Sequence, residues 1–200
     1  MSDAGVRSSY VLTVLGALLL CAQPAFAQTR PKLSAVFQSH VVLQITTGTG
    51  ADAETVEGKG ELTANGNQVR EFYTFEDGPP LEIISRYDLA KIFTVSPPNC
   101  DVEDVEVDDD HPAVVSFFGW VANAKMGSAG EVNGITGTTW VSTGTAPNPT
   151  LTLLATNDGK IPLYYEVTTA ERTVRIVFLD YQTTFKQKAS VFTPPRKCLK

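Results

Sequence analysis

Seven of the ten residues from Asp101 to Asp110 carry carboxylates. Hard oxygen donors at that density suit calcium, which takes about 6 to 8 of them. Asp101, Glu103, Asp104, Asp108 and Asp110 are the candidate ligands, and calcium is the one metal or cofactor that the sequence suggests. The run lacks the central glycine and closing glutamate of an EF-hand loop, and a solvated acidic loop explains the same composition. The two histidines lie far apart, His40 in an alternating stretch and His111 beside the acidic run. His111 among carboxylates has the chemistry of a hydrolytic base, but a solvated loop histidine is the better reading. There is no His/Cys spacing for zinc, no Gly-x-Ser-x-Gly elbow, no phosphate loop and no dinucleotide fingerprint. A pair of catalytic carboxylates drawn from distant strands leaves no trace in a sequence. The residue chemistry therefore points away from an enzyme, with a hydrolase kept as the remote alternative.

The three cysteines carry more information. Cys21 follows an apolar run, Val11 to Leu20, which is preceded by Arg7 and followed by Ala25-Phe26-Ala27. That order is a secretory signal over residues 1–27 with a small-x-small cleavage site. A largely apolar run of ten residues is too short to span a bilayer as a helix, so no transmembrane segment is expected. Leu20 before Cys21 argues against lipidation, because the residue preceding an acylated cysteine is normally small. Cleavage leaves Cys100 and Cys198, each behind a proline pair (Pro97-Pro98 and Pro194-Pro195), in an oxidising compartment where even counts form bridges. Residues 28–200 form a single domain, secreted or held in the lumen of the secretory or lysosomal pathway. The net charge is −6, which disfavours nucleic acid and anionic membrane surfaces as partners.

The elements that position these residues are mainly strands. From Val36 to Thr46, Phe37, Val41, Leu43 and Ile45 share one parity and Gln38, His40 and Gln44 the other, as in a half-exposed strand. Strands follow at Thr55–Leu62, Gln68–Glu76, Leu81–Arg86 and Leu89–Ser96, with Asn65-Gly66-Asn67 and Asp77-Gly78-Pro79-Pro80 as turns. Short connections make this an antiparallel meander. Ala113 to Met126 carries Val114, Phe117, Phe118, Val121 and Ala122 at helical spacing, with Pro112 before and Gly127 after. Beyond it, Glu131–Ser142 reads as one strand bent at Gly134 and Gly137. Strands at Thr150–Thr156, Lys160–Thr169 and Thr173–Phe185 complete the chain, the first two joined at Asn157-Asp158-Gly159.

The order of strands, cysteine, helix, Trp140 strand and hairpin, closed by Phe192, Pro195 and Cys198 as Phe-x-x-Pro-x-x-Cys, resembles the ependymin-related proteins and the wider LolA-like group. The chain differs from the secreted vertebrate pattern in having fewer cysteines and no glycosylation sequon, Asn148-Pro149-Thr150 being disqualified by its proline. The resemblance implies a mainly β (α+β) fold: a strongly curved antiparallel sheet, a half barrel, with one or two helices on its concave side. It also implies a deep apolar pocket, since members bind lipids and some bind calcium. The expected lining is Leu43, Phe75, Phe93, Phe117, Trp120, Trp140, Tyr165 and Phe178, and the expected function is a carrier of a lipid or fatty acid. The rival readings are a dry core formed by the same side chains, and an extracellular interaction or matrix protein. A second copy of the chain, giving a homodimer, is a further candidate partner.

Overall fold

The computed structural model describes residues 30–48, 50–105, 116–144 and 148–199. The expected signal segment, Asp108, Asp110 and His111 lie outside them. Eleven strands form one antiparallel sheet: β1 Val36–Thr47, β2 Glu54–Asn65, β3 Gln68–Phe75, β4 Leu81–Arg86, β5 Lys91–Ser96, β6 Asn99–Asp104, β7 Lys125–Val132, β8 Ile135–Thr143, β9 Thr150–Thr156, β10 Pro162–Thr168 and β11 Arg172–Phe178. Their spatial order is β6-β5-β4-β3-β2-β1-β11-β10-β9-β8-β7. Two meanders, β1 to β6 and β7 to β11, are thus joined where the first strand pairs with the last, and β6 and β7 are left as open edges.

The pleat sorts each strand into two faces. On β1 the odd residues Phe37, Ser39, Val41 and Leu43 are buried, and across the ladder Leu62 and Ala64 of β2 and Ile176 and Phe178 of β11 share their face. Val69 and Tyr73 of β3, Leu153 and Ala155 of β9 and Trp140 of β8 join the same cluster. We call this the inner face. At its centre β2 carries glycines, Gly58 opposite Leu43 and Gly60 opposite Val41. A Cβ built on Gly60 would lie 1.9 Å from the carbonyl oxygen of Phe72 and 2.8 Å from the Tyr73 ring. Only glycine permits that approach of β3 to β2.

The outer face is closed by the tail. Beyond β11 the chain pairs Gln182 with Gln38. It then lies against β3 and β4 through a 3-10 turn, Ala189–Phe192, and against β6 through another, Arg196–Leu199. Phe192 is buried, and the Arg86 guanidinium donates to its carbonyl at 3.4 Å. Cys198 is bonded to Cys100 of β6 with Cα atoms 5.6 Å apart, and Ile84, Phe93 and Val95 pack under it as a separate core cluster. Lys197 Nζ donates to the carbonyls of Pro98 and Asn99. The expected bridge is therefore present.

Several expectations need correction. The helix is not formed over its described part: residues 116–118 turn, Gly119–Asn123 is a single 3-10 helix, and Lys125 already belongs to β7. The apolar spacing is real, but Gly119 in the middle of the stretch weakens a helix there, and pairing with β8 captures Lys125 and Met126. The single strand Glu131–Ser142 is instead a hairpin, β7–β8, turning at Asn133-Gly134 with φ of 52° and 78°. Asn-Gly is the residue pair a tight hairpin demands. The start of the acidic run is strand β6, paired with β5 from Asn99 to Asp104. Leu89 is exposed in a turn, not part of β5. The last strand ends at Phe178.

Two expectations test this architecture. Gly60→Ala destabilises the fold by about 1–3 kcal/mol in denaturant melts, the range of an overpacked core, because β3 must retreat; an unchanged midpoint would contradict the close approach. Replacing Cys198 by Ser costs about 2–5 kcal/mol under oxidising conditions, as expected for a bridge closing a loop of 98 residues. Under reducing conditions the variant and the parent melt together.

Candidate functional site

The inner face is covered by residues 116–124. Phe118 stacks on Phe37 with ring centroids 5.4 Å apart, and Phe117 meets Phe37 edge-on at 6.0 Å and Tyr165 at 5.2 Å. Phe178 and Tyr181 complete the group around Phe37 at 6.3 and 5.0 Å. Pairs of this kind contribute about 0.5–1.5 kcal/mol each beyond burial. The backbone of the covering segment, however, bonds to itself: Gly119 to Ser116, Val121 to Phe118, Ala124 to Val121. Arg30 reaches it from the start of the described chain, donating to the Val121 carbonyl at 3.5 Å and lying over the Trp140 ring at 5.8 Å. Side-chain packing, not a hydrogen-bonded ladder, holds this cover in place.

The cover is incomplete. Ile45, Phe75, Leu81, Tyr87, Phe117, Trp120, Tyr165 and Val174 pack against the inner cluster yet stay half-buried. A cavity of about 300 Å³ opens between the covering segment and residues 30–33, lined by Pro31, Leu33, Phe118, Val121 and Ala122 together with the basic Arg30 and Lys32. That volume is at the small end of ligand pockets.

One charged side chain points into this apolar surface. Glu71 of β3 shares the parity of Val69 and Tyr73, and Tyr73 donates a 2.6 Å hydrogen bond to its Oε2. Burial raises the Glu71 carboxyl above its ordinary value, and the Tyr73 hydrogen bond pulls it back in part. Burial, reinforced by Glu71, also raises Tyr73 and Tyr165. Tyr87, hydrogen-bonded to the buried Ser85, is raised by burial and again by Glu71. Trp120 stands 5.9 Å from Tyr165, and its buried indole N–H meets no acceptor among the described residues. Sequence reasoning passed over Glu71. The signal was there, since Val69, Glu71, Tyr73 and Phe75 alternate with polar residues and one member of the apolar parity is acidic.

Of the expected lining, Leu43, Trp140 and Phe178 lie buried in the inner cluster, while Phe75, Phe117, Trp120 and Tyr165 sit half-buried around it. Phe93 does not belong: it faces outward beneath the tail with Ile84, Val95 and Cys198. Alternation shows that a strand has an apolar face without showing which face that is, and here the tail makes the outer face apolar. The acidic candidates do not converge. Asp101 and Glu103 share one side of β6 and Asp104 the other, where Lys91 pairs with it. Among the described residues no group of three potential metal ligands forms.

His40 lies on the outer face. Its Nδ1 is 2.8 Å from Asp180 Oδ2, and its Nε2 is 3.8 Å from Glu61. The hydrogen bond to Asp180, then that residue's charge, raise its pKa. The neighbouring Ser39 hydroxyl donates to the carbonyls of His40 and Asp180, so it is not a partner of the imidazole.

No family model and no curated protein matches the chain. Solved structures similar to it include the lipoprotein LppX of Mycobacterium tuberculosis, at 13% identity and a TM-score of 0.44 over 76% of this chain and 89% of that one. A LolA superfamily protein of Nitrosomonas europaea aligns at 10% identity and 0.39 over 80% and 90%. LprF of Mycobacterium bovis aligns at 11% and 0.37 over 76% and 88%. The LolA-like half of the expected resemblance reappears in this set, and the ependymin-related half finds no counterpart in these three. At such scores the likeness carries no argument about function.

The raised Glu71 pKa fixes the sign of a stability effect. The folded state holds this proton more tightly than the unfolded chain, so the group supports folding below its unfolded pKa, and the support is lost as pH rises through the folded value. Glu71→Gln therefore melts higher than the parent at pH 7, and the difference shrinks on acidification. A lower melting point at pH 7 would show that the ionised carboxylate is instead stabilising.

Proposed function

We propose that this protein is a carrier of an apolar or amphiphilic molecule, exported from the cytoplasm and taking its cargo between the inner face of the sheet and residues 116–124. One observation carries the reading: a wide aromatic and aliphatic sheet face is covered by a short segment that bonds to itself, leaving Phe75, Leu81, Trp120, Tyr165 and Val174 half-buried. A core meant only for stability would seal such side chains, because full burial of an apolar side chain contributes roughly 1.5–3 kcal/mol and partial burial only a share of it. A segment held by side-chain packing alone opens at low cost relative to global unfolding, and each methylene the cargo buries contributes about 0.8 kcal/mol. The disulfide and the tail keep the outer face and edge strand β6 fixed while the inner cover moves. Among the described residues no helix is long and apolar enough to cross a membrane. Calcium stays outside this reading, because the described carboxylates of β6 point to opposite sides.

Both tryptophans of the chain, Trp120 and Trp140, lie on the inner face, so intrinsic fluorescence reports entry of a ligand. Titration with dodecanol below its micellar concentration shifts the emission saturably, and Phe75→Asp removes the response while keeping the fold. Organic extraction of the purified protein followed by mass spectrometry yields bound lipid in stoichiometric amount. No fluorescence response together with a lipid-free extract would sink the carrier reading.

A further inference from the structure

The carboxyl of Glu71 lies in surroundings that do nothing to neutralise it. In register it is flanked by Leu62 of β2 and Ile83 of β4, so neither cross-strand neighbour is polar. Its hydrogen bond comes from Tyr73, a neutral donor that cannot balance a charge. The adjacent base in sequence, Arg70, has the opposite parity and pairs at 2.6 Å with Glu82 on the outer face, while Arg86 is engaged by Asp88. Among the described residues, no salt bridge joins a lysine or arginine to Glu71, and only burial and Tyr73 act on its carboxyl. Yet the residue is not sealed and keeps intermediate exposure. Tyr73 bonds the carboxyl, Tyr87 and Tyr165 lie near enough to feel its charge, and Trp120 and Phe117 stand 5.9 and 5.2 Å from Tyr165.

An unpaired carboxylate costs a great deal in apolar surroundings unless a cation joins it. Aromatic faces around it attract the same cation through their quadrupoles. A carboxylate bonded by one tyrosine with two others nearby is thus complementary to an ammonium group and repels an anionic head.

We propose that Glu71 and the surrounding tyrosines form a headgroup subsite that selects amphiphiles bearing an ammonium group over those bearing a carboxylate or a hydroxyl. The inference rests on the carrier reading and goes beyond it by naming the chemistry of the cargo's polar end. The alkyl chain then lies along Phe75, Phe117, Trp120 and Val174, and the fatty acids suggested by the sequence resemblance become poor ligands.

The test compares dodecylamine, dodecanol and dodecanoate, which share one chain and differ in the head, by tryptophan fluorescence of the intact protein. The parent binds the amine about tenfold or more tighter than the alcohol, as expected for a charge-assisted pair, and binds the carboxylate most weakly. Glu71→Gln brings the amine level with the alcohol and leaves the alcohol unchanged. Glu61→Gln, which removes the same charge from the outer face, keeps the preference. If Glu71→Gln does not fold, the parent's preference among the three ligands and its persistence in Glu61→Gln still decide. Equal binding of amine and alcohol by the parent overturns the headgroup subsite while the carrier stands. Amine preference that survives in folded Glu71→Gln does the same. Failure of all three ligands to bind overturns the carrier reading and the subsite with it.

Discussion

The pairing of β1 with β11 holds the molecule together. β1 sits between β2 on one side and β11 on the other, so the first and last strands of the sheet close two local meanders into one continuous surface. Strand pleating then leaves no choice of orientation: with Val41 opposite Phe178 and Gly60, the apolar parity of both meanders lands on the same side. A slip of one residue at this junction would turn one half of the inner cluster outward. The glycines of β2 add the second constraint, since Gly60 lets β3 approach more closely than any side chain would allow.

The two faces of the sheet are closed by different means. The outer face is strapped by a tail that crosses from β1 to β6 and ends in a covalent bond. The inner face is covered by nine residues whose backbone hydrogen bonds are local. The first closure restricts the chain even when other contacts open. The second depends on packing of Phe117, Phe118 and Val121 against the sheet, which an apolar ligand can replace with contacts of the same kind. Of the two closures, therefore, the inner one is held by fewer constraints.

The sequence was most informative where alternation and turn chemistry agreed. Phe37 through Ile45, the Asn65-Gly66-Asn67 turn and the strands Leu81–Arg86 and Thr150–Thr156 could all be read directly, and the partnership of Cys100 with Cys198 followed from counting. It was least informative where one pattern fits two structures. Phe117, Phe118 and Val121 have helical spacing, but the same residues serve as plugs on a 3-10 turn. Gly134 reads as a bend within one strand, whereas with Asn133 it forms a hairpin turn. Phe93 and Val95 form an apolar parity whose direction depends on a tail about 100 residues away. The acidic composition around Asp101 masked a strand whose pairing with β5 overrides its low intrinsic propensity. Glu71 escaped notice because an acidic residue within a strand reads as solvent-facing until its parity is traced.

Placing a heavy atom on the cargo would test the account most directly. A crystal structure of the protein grown with 1-bromododecane, recorded at the bromine absorption edge, should show an anomalous peak on the inner face among Phe75, Trp120 and Tyr165, with residues 116–124 displaced from their present contacts on Phe37. A peak confined to the outer face under the tail, or an inner face unchanged and without bromine, would contradict it.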